Sequence, residues 1–103
     1  MAIYKVTARF KEDQAASLRQ RLDDGSLAAQ PPDGEEMVRA FGHAVVTDDG
    51  LVMWSEMCFC PTPLAHERVT QLDHFFTDLT TTPIEAYESY KGRPFLEYLD
   101  TLA

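Results

Sequence analysis

Basic side chains are scarce in this chain: 9 lysines and arginines stand against 17 aspartates and glutamates, a formal net charge of -8. The acids are spread over both halves rather than gathered in a tail. Phosphate backbones and anionic bilayers would repel such a surface, so neither nucleic acid nor membrane is an expected partner. Long apolar runs are also missing. No stretch suffices to span a bilayer, no signal-peptide pattern precedes the strand-like sequence that begins at Ile3, and the expected location is the cytoplasm. There are only 2 cysteines, which that compartment would keep as thiols rather than as a structural disulfide. As residues i and i+2 of a strand, Cys58 and Cys60 would hold their Cα atoms roughly 6.5–7 Å apart, at the far limit for a bridge. No Gly-rich phosphate loop, Gly-x-Ser-x-Gly elbow, dinucleotide fingerprint or internal repeat occurs, so no cofactor is expected.

What is present fits one domain spanning residues 1–103, with 45% hydrophobic and 25% charged residues to build a core and a solvated surface. Residues 3–10 alternate as a strand, with Tyr4, Val6, Ala8 and Phe10 on one face and Lys5, Thr7 and Arg9 on the other. Residues 12–24 read as a helix with an inward stripe of Ala15, Leu18 and Leu22 and a stop at Gly25. A strand is predicted over 36–47, followed by an Asp48-Asp49-Gly50 hairpin signal and a strand over 51–60 that Pro61 ends. Thr62 and Pro63 suit the start of a second helix with apolar positions Ala65, Val69, Leu72, Phe76 and Leu79. A fourth strand over 83–90 and a short terminal helix over 94–102 complete the reading. The resulting strand–helix–strand–strand–helix–strand order closes as a ferredoxin-like α+β plait, a four-stranded antiparallel sheet ordered 4-1-3-2 with both helices on one face. The uncovered face is one that such folds often bury by forming a homodimer.

A two-residue turn at Asp49-Gly50 makes opposed residues sum to 99, which sets His43 across from Glu56 and Phe41 across from Cys58. On that register Lys5, Arg9, Arg39, Phe41, Trp54 and Cys58 join the pair on the open face as candidate ligand-binding residues. His43 and Glu56 are the candidate catalytic pair, because a carboxylate beside an imidazole raises its pKa and holds its tautomer for acid–base work. Four cations gathered on an acidic protein favour a small anionic or aromatic ligand. The bland alternative is that these side chains only cement a homodimer or stay solvated. A metal or thiol site at Cys58 and Cys60 is a further alternative, although an extended Cys-x-Cys converges its sulfurs poorly and no metal is expected. His66, Glu67 and His74 lack the zinc-peptidase spacing, since position 70 is threonine, and read as a solvated helix face.

The run Ser-Glu-Met-Cys-Phe-Cys-Pro-Thr-Pro-Leu-Ala-His-Glu-Arg at 55–68, with Gln-Pro-Pro-Asp-Gly at 30–34, resembles a family of small uncharacterised bacterial proteins. At fold level the whole chain resembles the dimeric α+β barrels, which include cofactor-free monooxygenases, small isomerases and ligand-binding modules. That resemblance implies a fold and an assembly and names no reaction.

Overall fold

The computed structural model describes residues 2–58 and 62–103. Period-two alternation makes the central strand, β1 (Ala2–Phe10), which buries Val6 and Ala8 and turns Lys5 and Thr7 the other way. It pairs antiparallel with β3 (Leu51–Cys58) on one side and β4 (Phe76–Ile84) on the other. Two short strands, β2 (Val45–Val46) and β5 (Arg93–Pro94), extend the sheet beyond β3, giving the order β4-β1-β3-β2-β5. The fold is therefore α+β with a five-stranded antiparallel open sheet. Its first four strands follow the expected 4-1-3-2 order, but β5 adds an edge and β2 is only two residues long, so the simple plait is not reproduced.

Helices cover the face that carries Val6, Val52 and Trp54. A 3₁₀ turn (Glu12–Gln14) leads into α1 (Ala15–Asp23), which buries Ala15 and Leu18 and stops before Gly25, at φ 78°. The terminal α5 (Phe95–Leu102) inserts Phe95 and Leu99 into the same core. An aromatic cluster fills its centre, with the Trp54 and Phe76 rings 5.1 Å apart and Phe41 meeting Trp54 edge-on at 5.6 Å.

The region expected as the second strand is a helix, α2 (Gly34–His43). Met37, Ala40, Phe41 and Ala44 are all buried, a helical repeat that outweighs the alternation visible in Val38–Phe41, and Glu35 and Glu36 sit in the first turn, where the helix dipole favours them. The hairpin register also differs. Val45 pairs with Met53 and Val46 with Val52, because the loop has three residues, closed by the Thr47 N–H to Leu51 carbonyl bond at 2.9 Å with Gly50 left-handed. Opposed residues thus sum to 98 rather than 99.

The faces of β3 are reversed as well. Trp54, Glu56 and Cys58 look into the core, whereas Met53, Ser55 and Met57 share the other face with Lys5 and Thr7. The second expected helix is shorter and broken into α3 (Ala65–Glu67), a π-helical turn (Arg68–Leu72) and α4 (Asp73–Phe75). Leu64, Glu67, Gln71, Leu72 and Phe75 form its buried face, while Val69 is 77% exposed. β4 starts at Phe76 rather than 83 because the threonine-rich run that follows suits a pleated surface, and Thr7 and Thr80 join hydroxyls across the ladder.

Two glycines of α2 test this assignment. A Cβ on Gly34 would lie 2.3 Å from the Leu27 carbonyl oxygen, so Gly34→Ala is expected to cost about 1–3 kcal/mol or more in urea denaturation. A Cβ on Gly42 meets nothing within 4 Å, and Gly42→Ala should stabilise by about 0.5–1 kcal/mol. Gly42→Val should be less stable than Gly42→Ala, since a β-branched side chain loses rotamer freedom in a helix. A strand there would invert that order.

Candidate functional site

The exposed face of α2 carries Glu36, Arg39 and His43 at spacings of three and four, one above another along the helix. Glu36 is the fixed point. Its Oε1 accepts from Arg39 Nε at 2.9 Å, and its Oε2 accepts from the Met57 N–H at 2.7 Å, Tyr87 Oη at 2.9 Å and Arg39 Nη2 at 3.1 Å. One carboxylate therefore joins α2, β3 and the segment 85–90. Burial alone would raise its pKa, but hydrogen bonds from Arg39, Met57 and Tyr87 hold it below the ordinary glutamate value.

The segment 85–90 is fastened at two further points. Ser55 Oγ accepts from the Glu88 N–H at 3.0 Å and donates to the Glu88 carbonyl at 3.1 Å. The Lys5 ammonium lies 5.2 Å from the centre of the Tyr90 ring. Between this segment, α2 and β3 lies a depression of about 210 Å³ lined by Arg39, His43, Ser55, Tyr87, Glu88 and Ser89. The Arg39 guanidinium lies 4.2 Å from the Tyr87 ring centre, and its Nη2 also donates to the Ser55 carbonyl at 2.9 Å. His43 Nδ1 bonds the Arg39 carbonyl at 2.9 Å, so Nδ1 is the donor and Nε2 is left to act as acceptor or, when protonated, as a second donor.

A second cluster lies inside the fold, where the start of α2, the end of β3 and α3 converge. Glu56 is fully buried and accepts from Trp54 Nε1 at 2.7 Å. The carboxyl group of Glu67 faces it closely enough that each alters the other's titration. Both are pushed up from the ordinary glutamate value, chiefly by burial. Asp33, also buried, accepts from His66 Nδ1 at 3.0 Å. Cys58 Sγ accepts from the Leu64 N–H at 3.1 Å. Among the described residues no group of three or more His, Cys, Asp and Glu side chains is placed to hold a metal ion. Cys60 lies outside the described residues.

The expected constellation is thus redistributed. His43 and Glu56 do not meet, because His43 ends a helix on the surface and Glu56 is in the core. Phe41 and Trp54 pack against each other inside rather than lining an open wall. Arg9 reaches the hairpin loop instead, donating to the Asp49 carbonyl at 2.7 Å. Arg39 and His43 do stay together, but through helical spacing rather than a strand. Tyr87 was expected on a fourth strand and instead lies in the segment that follows β4. Glu36 and Ser55 were missed, and Glu67, expected on a solvated helix face, is buried. The Met37–Ala44 repeat would have revealed Glu36, and the Leu64, Glu67, Gln71 spacing would have placed Glu67 inside. Comparison with family models, with curated proteins and with solved structures gave no match.

Removing the Glu36 carboxylate leaves the Met57 N–H without its acceptor and Arg39 with the Ser55 carbonyl alone. Glu36→Ala is expected to cost about 1–3 kcal/mol by chemical denaturation at pH 7. Because the folded pKa is depressed, this contribution is present above the unfolded value and lost as pH falls through the folded one. The difference between wild type and variant should therefore shrink in acid, and a constant difference would show that charge is irrelevant to the contact.

Proposed function

We propose that the chain binds a small anionic aromatic molecule in the depression between α2, β3 and residues 85–89. The observation that carries this reading is that Arg39 and His43, one helical turn apart, line the same hollow as the Tyr87 ring. A carboxylate or phenolate would meet the guanidinium and the imidazole, and its ring would lie along Tyr87. The hollow, at about 210 Å³, is smaller than the usual drug-sized site, which favours single-ring compounds. If proton transfer accompanies binding, His43 is the group placed to carry it, with Glu56 playing no part.

A homodimer is the second reading, favoured by the apolar character of the uncovered sheet face. Ile3, Leu51, Met53 and Met57 are half-exposed there, side by side across β1 and β3. The β4-β1-β3-β2 order supports a ferredoxin-like plait with an added edge strand, a scaffold compatible with pairing through that face.

Binding is tested by amide-resolved NMR titration with benzoate, 4-hydroxybenzoate and neutral benzyl alcohol. The two anions should perturb the Arg39, His43, Ser55 and Tyr87 amides, and the alcohol should not. At ten times its Kd a ligand should stabilise the fold by about 1.4 kcal/mol, an effect lost in His43→Ala and Arg39→Gln. Equal perturbation by the alcohol, or none by the anions at millimolar concentration, would remove the reading.

A further inference from the structure

The edge of β3 that faces α2 carries a backbone donor with no acceptor among the described residues. β2 covers that edge only at Val52 and Met53, because it is two residues long and follows directly on α2. The Thr47 N–H to Leu51 carbonyl bond shows which way the backbone points. Residue 51 turns its polar groups toward β2, and by the period of two so do 53, 55 and 57. Beyond the end of β2, side chains of α2 stand in for the missing strand. Arg39 Nη2 donates to the Ser55 carbonyl at 2.9 Å, and Glu36 Oε2 accepts from the Met57 N–H at 2.7 Å. The Ser55 N–H points to the same edge, and no described backbone or side-chain acceptor meets it.

Its setting is that of the hollow. Ser55 is 6% exposed, and its Oγ is committed to the Glu88 backbone, which it meets at 3.0 and 3.1 Å. A buried backbone donor without an acceptor is rare in folded proteins and costly where it occurs. Ser55 lines the hollow with Arg39, His43 and Tyr87, so a guanidinium, an imidazole and a strand-edge N–H share one wall space with an aromatic ring.

The donors divide by what they can hold. Arg39 spends Nε on Glu36 and Nη2 on Glu36 and the Ser55 carbonyl, which leaves Nη1. His43 spends Nδ1 on the Arg39 carbonyl, which leaves Nε2. Arg39 Nη1 and a protonated His43 Nε2 match the two oxygens of a carboxylate. The Ser55 N–H remains for a third oxygen, a neutral carbonyl presented as a neighbouring strand would present it. An amide supplies that group.

We propose, resting on the binding reading above, that the ligand class is the N-acyl aromatic amino acid. Its carboxylate meets Arg39 and His43, its ring lies along Tyr87, and its amide carbonyl accepts from the Ser55 N–H. The hollow, at about 210 Å³, commits this to the free acyl amino acid rather than to the end of a longer chain.

Calorimetric titration of the full-length protein with N-acetylphenylalanine and with 3-phenylpropionate, which lacks the amide, tests this. The acyl amino acid should bind about three- to tenfold more tightly, the worth of one hydrogen bond. By NMR the Ser55 amide proton should move downfield with N-acetylphenylalanine and stay in place with 3-phenylpropionate. Ser55→Ala keeps the N–H and should keep the preference. Ser55→Pro removes the N–H without removing a ladder bond to β1 and should abolish it. If Ser55→Pro does not fold, the amide shift in the wild type decides. Equal affinities for the two compounds, an unmoved Ser55 amide, or a preference that survives in folded Ser55→Pro would overturn this inference and leave the binding reading standing. Failure of both compounds to bind at millimolar concentration would remove both. Tighter binding of acetyl-Gly-Gly-Phe than of N-acetylphenylalanine would overturn the assignment to a free acyl amino acid.

Discussion

The outer half of this structure depends on the carboxylate of Glu36. It satisfies a backbone donor on β3, a guanidinium on its own helix and a phenol on the segment after β4. Without it, α2 would still pack through Met37, Ala40 and Phe41, and Arg39 would still reach the Ser55 carbonyl and the Tyr87 ring, but the Met57 N–H and the Tyr87 hydroxyl would lose their acceptor. The hollow around Arg39 and His43 exists because three chain elements meet at one acceptor. A charged acceptor is suited to this, since hydrogen bonds to an ionised group are roughly twice as strong as neutral ones.

The two acidic centres follow opposite physical regimes. Glu36 is partly buried, yet surrounded by donors, and stays ionised below the usual range. Glu56 and Glu67 are deep and have few donors, and burial pushes both above it. Same side-chain chemistry, different solvation and partners: donors keep Glu36 charged, and burial favours the neutral forms of Glu56 and Glu67. The aromatic core separates them from the opposite end of the sheet, with Trp54 bridging the core and the carboxyl pair through its indole N–H.

Much of the scaffold was legible. The alternation of residues 3–10, the stripe of α1, the terminal helix and the position of the 48–50 loop all follow from local patterns that tertiary packing did not override. The segment 36–47 was not read correctly because Val38, Arg39, Ala40 and Phe41 alternate over four residues, while the helical repeat needs the longer span from Met37 to Ala44. That single misreading carried His43 to a strand. The faces of β3 were exchanged for a different reason: a glutamate and a cysteine beside Trp54 look like a solvent row until Glu67 is known to bury its own carboxyl against them. A partner supplied by another element leaves no mark in the strand that receives it. Glu67 did leave a signal in its helix, at the spacing Leu64, Glu67, Gln71, but the apolar Ala65 and Val69 suggested the wrong face.

The central claim is that Glu36 couples the segment after β4 to α2 and so creates the candidate site. A double-mutant cycle between Glu36→Gln and Tyr87→Phe, read by urea denaturation at pH 7, measures that coupling directly. A coupling energy of about 0.5–1.5 kcal/mol is expected for a hydrogen bond to a charged acceptor at a half-exposed position. Additive effects of the two substitutions would mean that Tyr87 and Glu36 act independently, and the site would lose the interaction that assembles it.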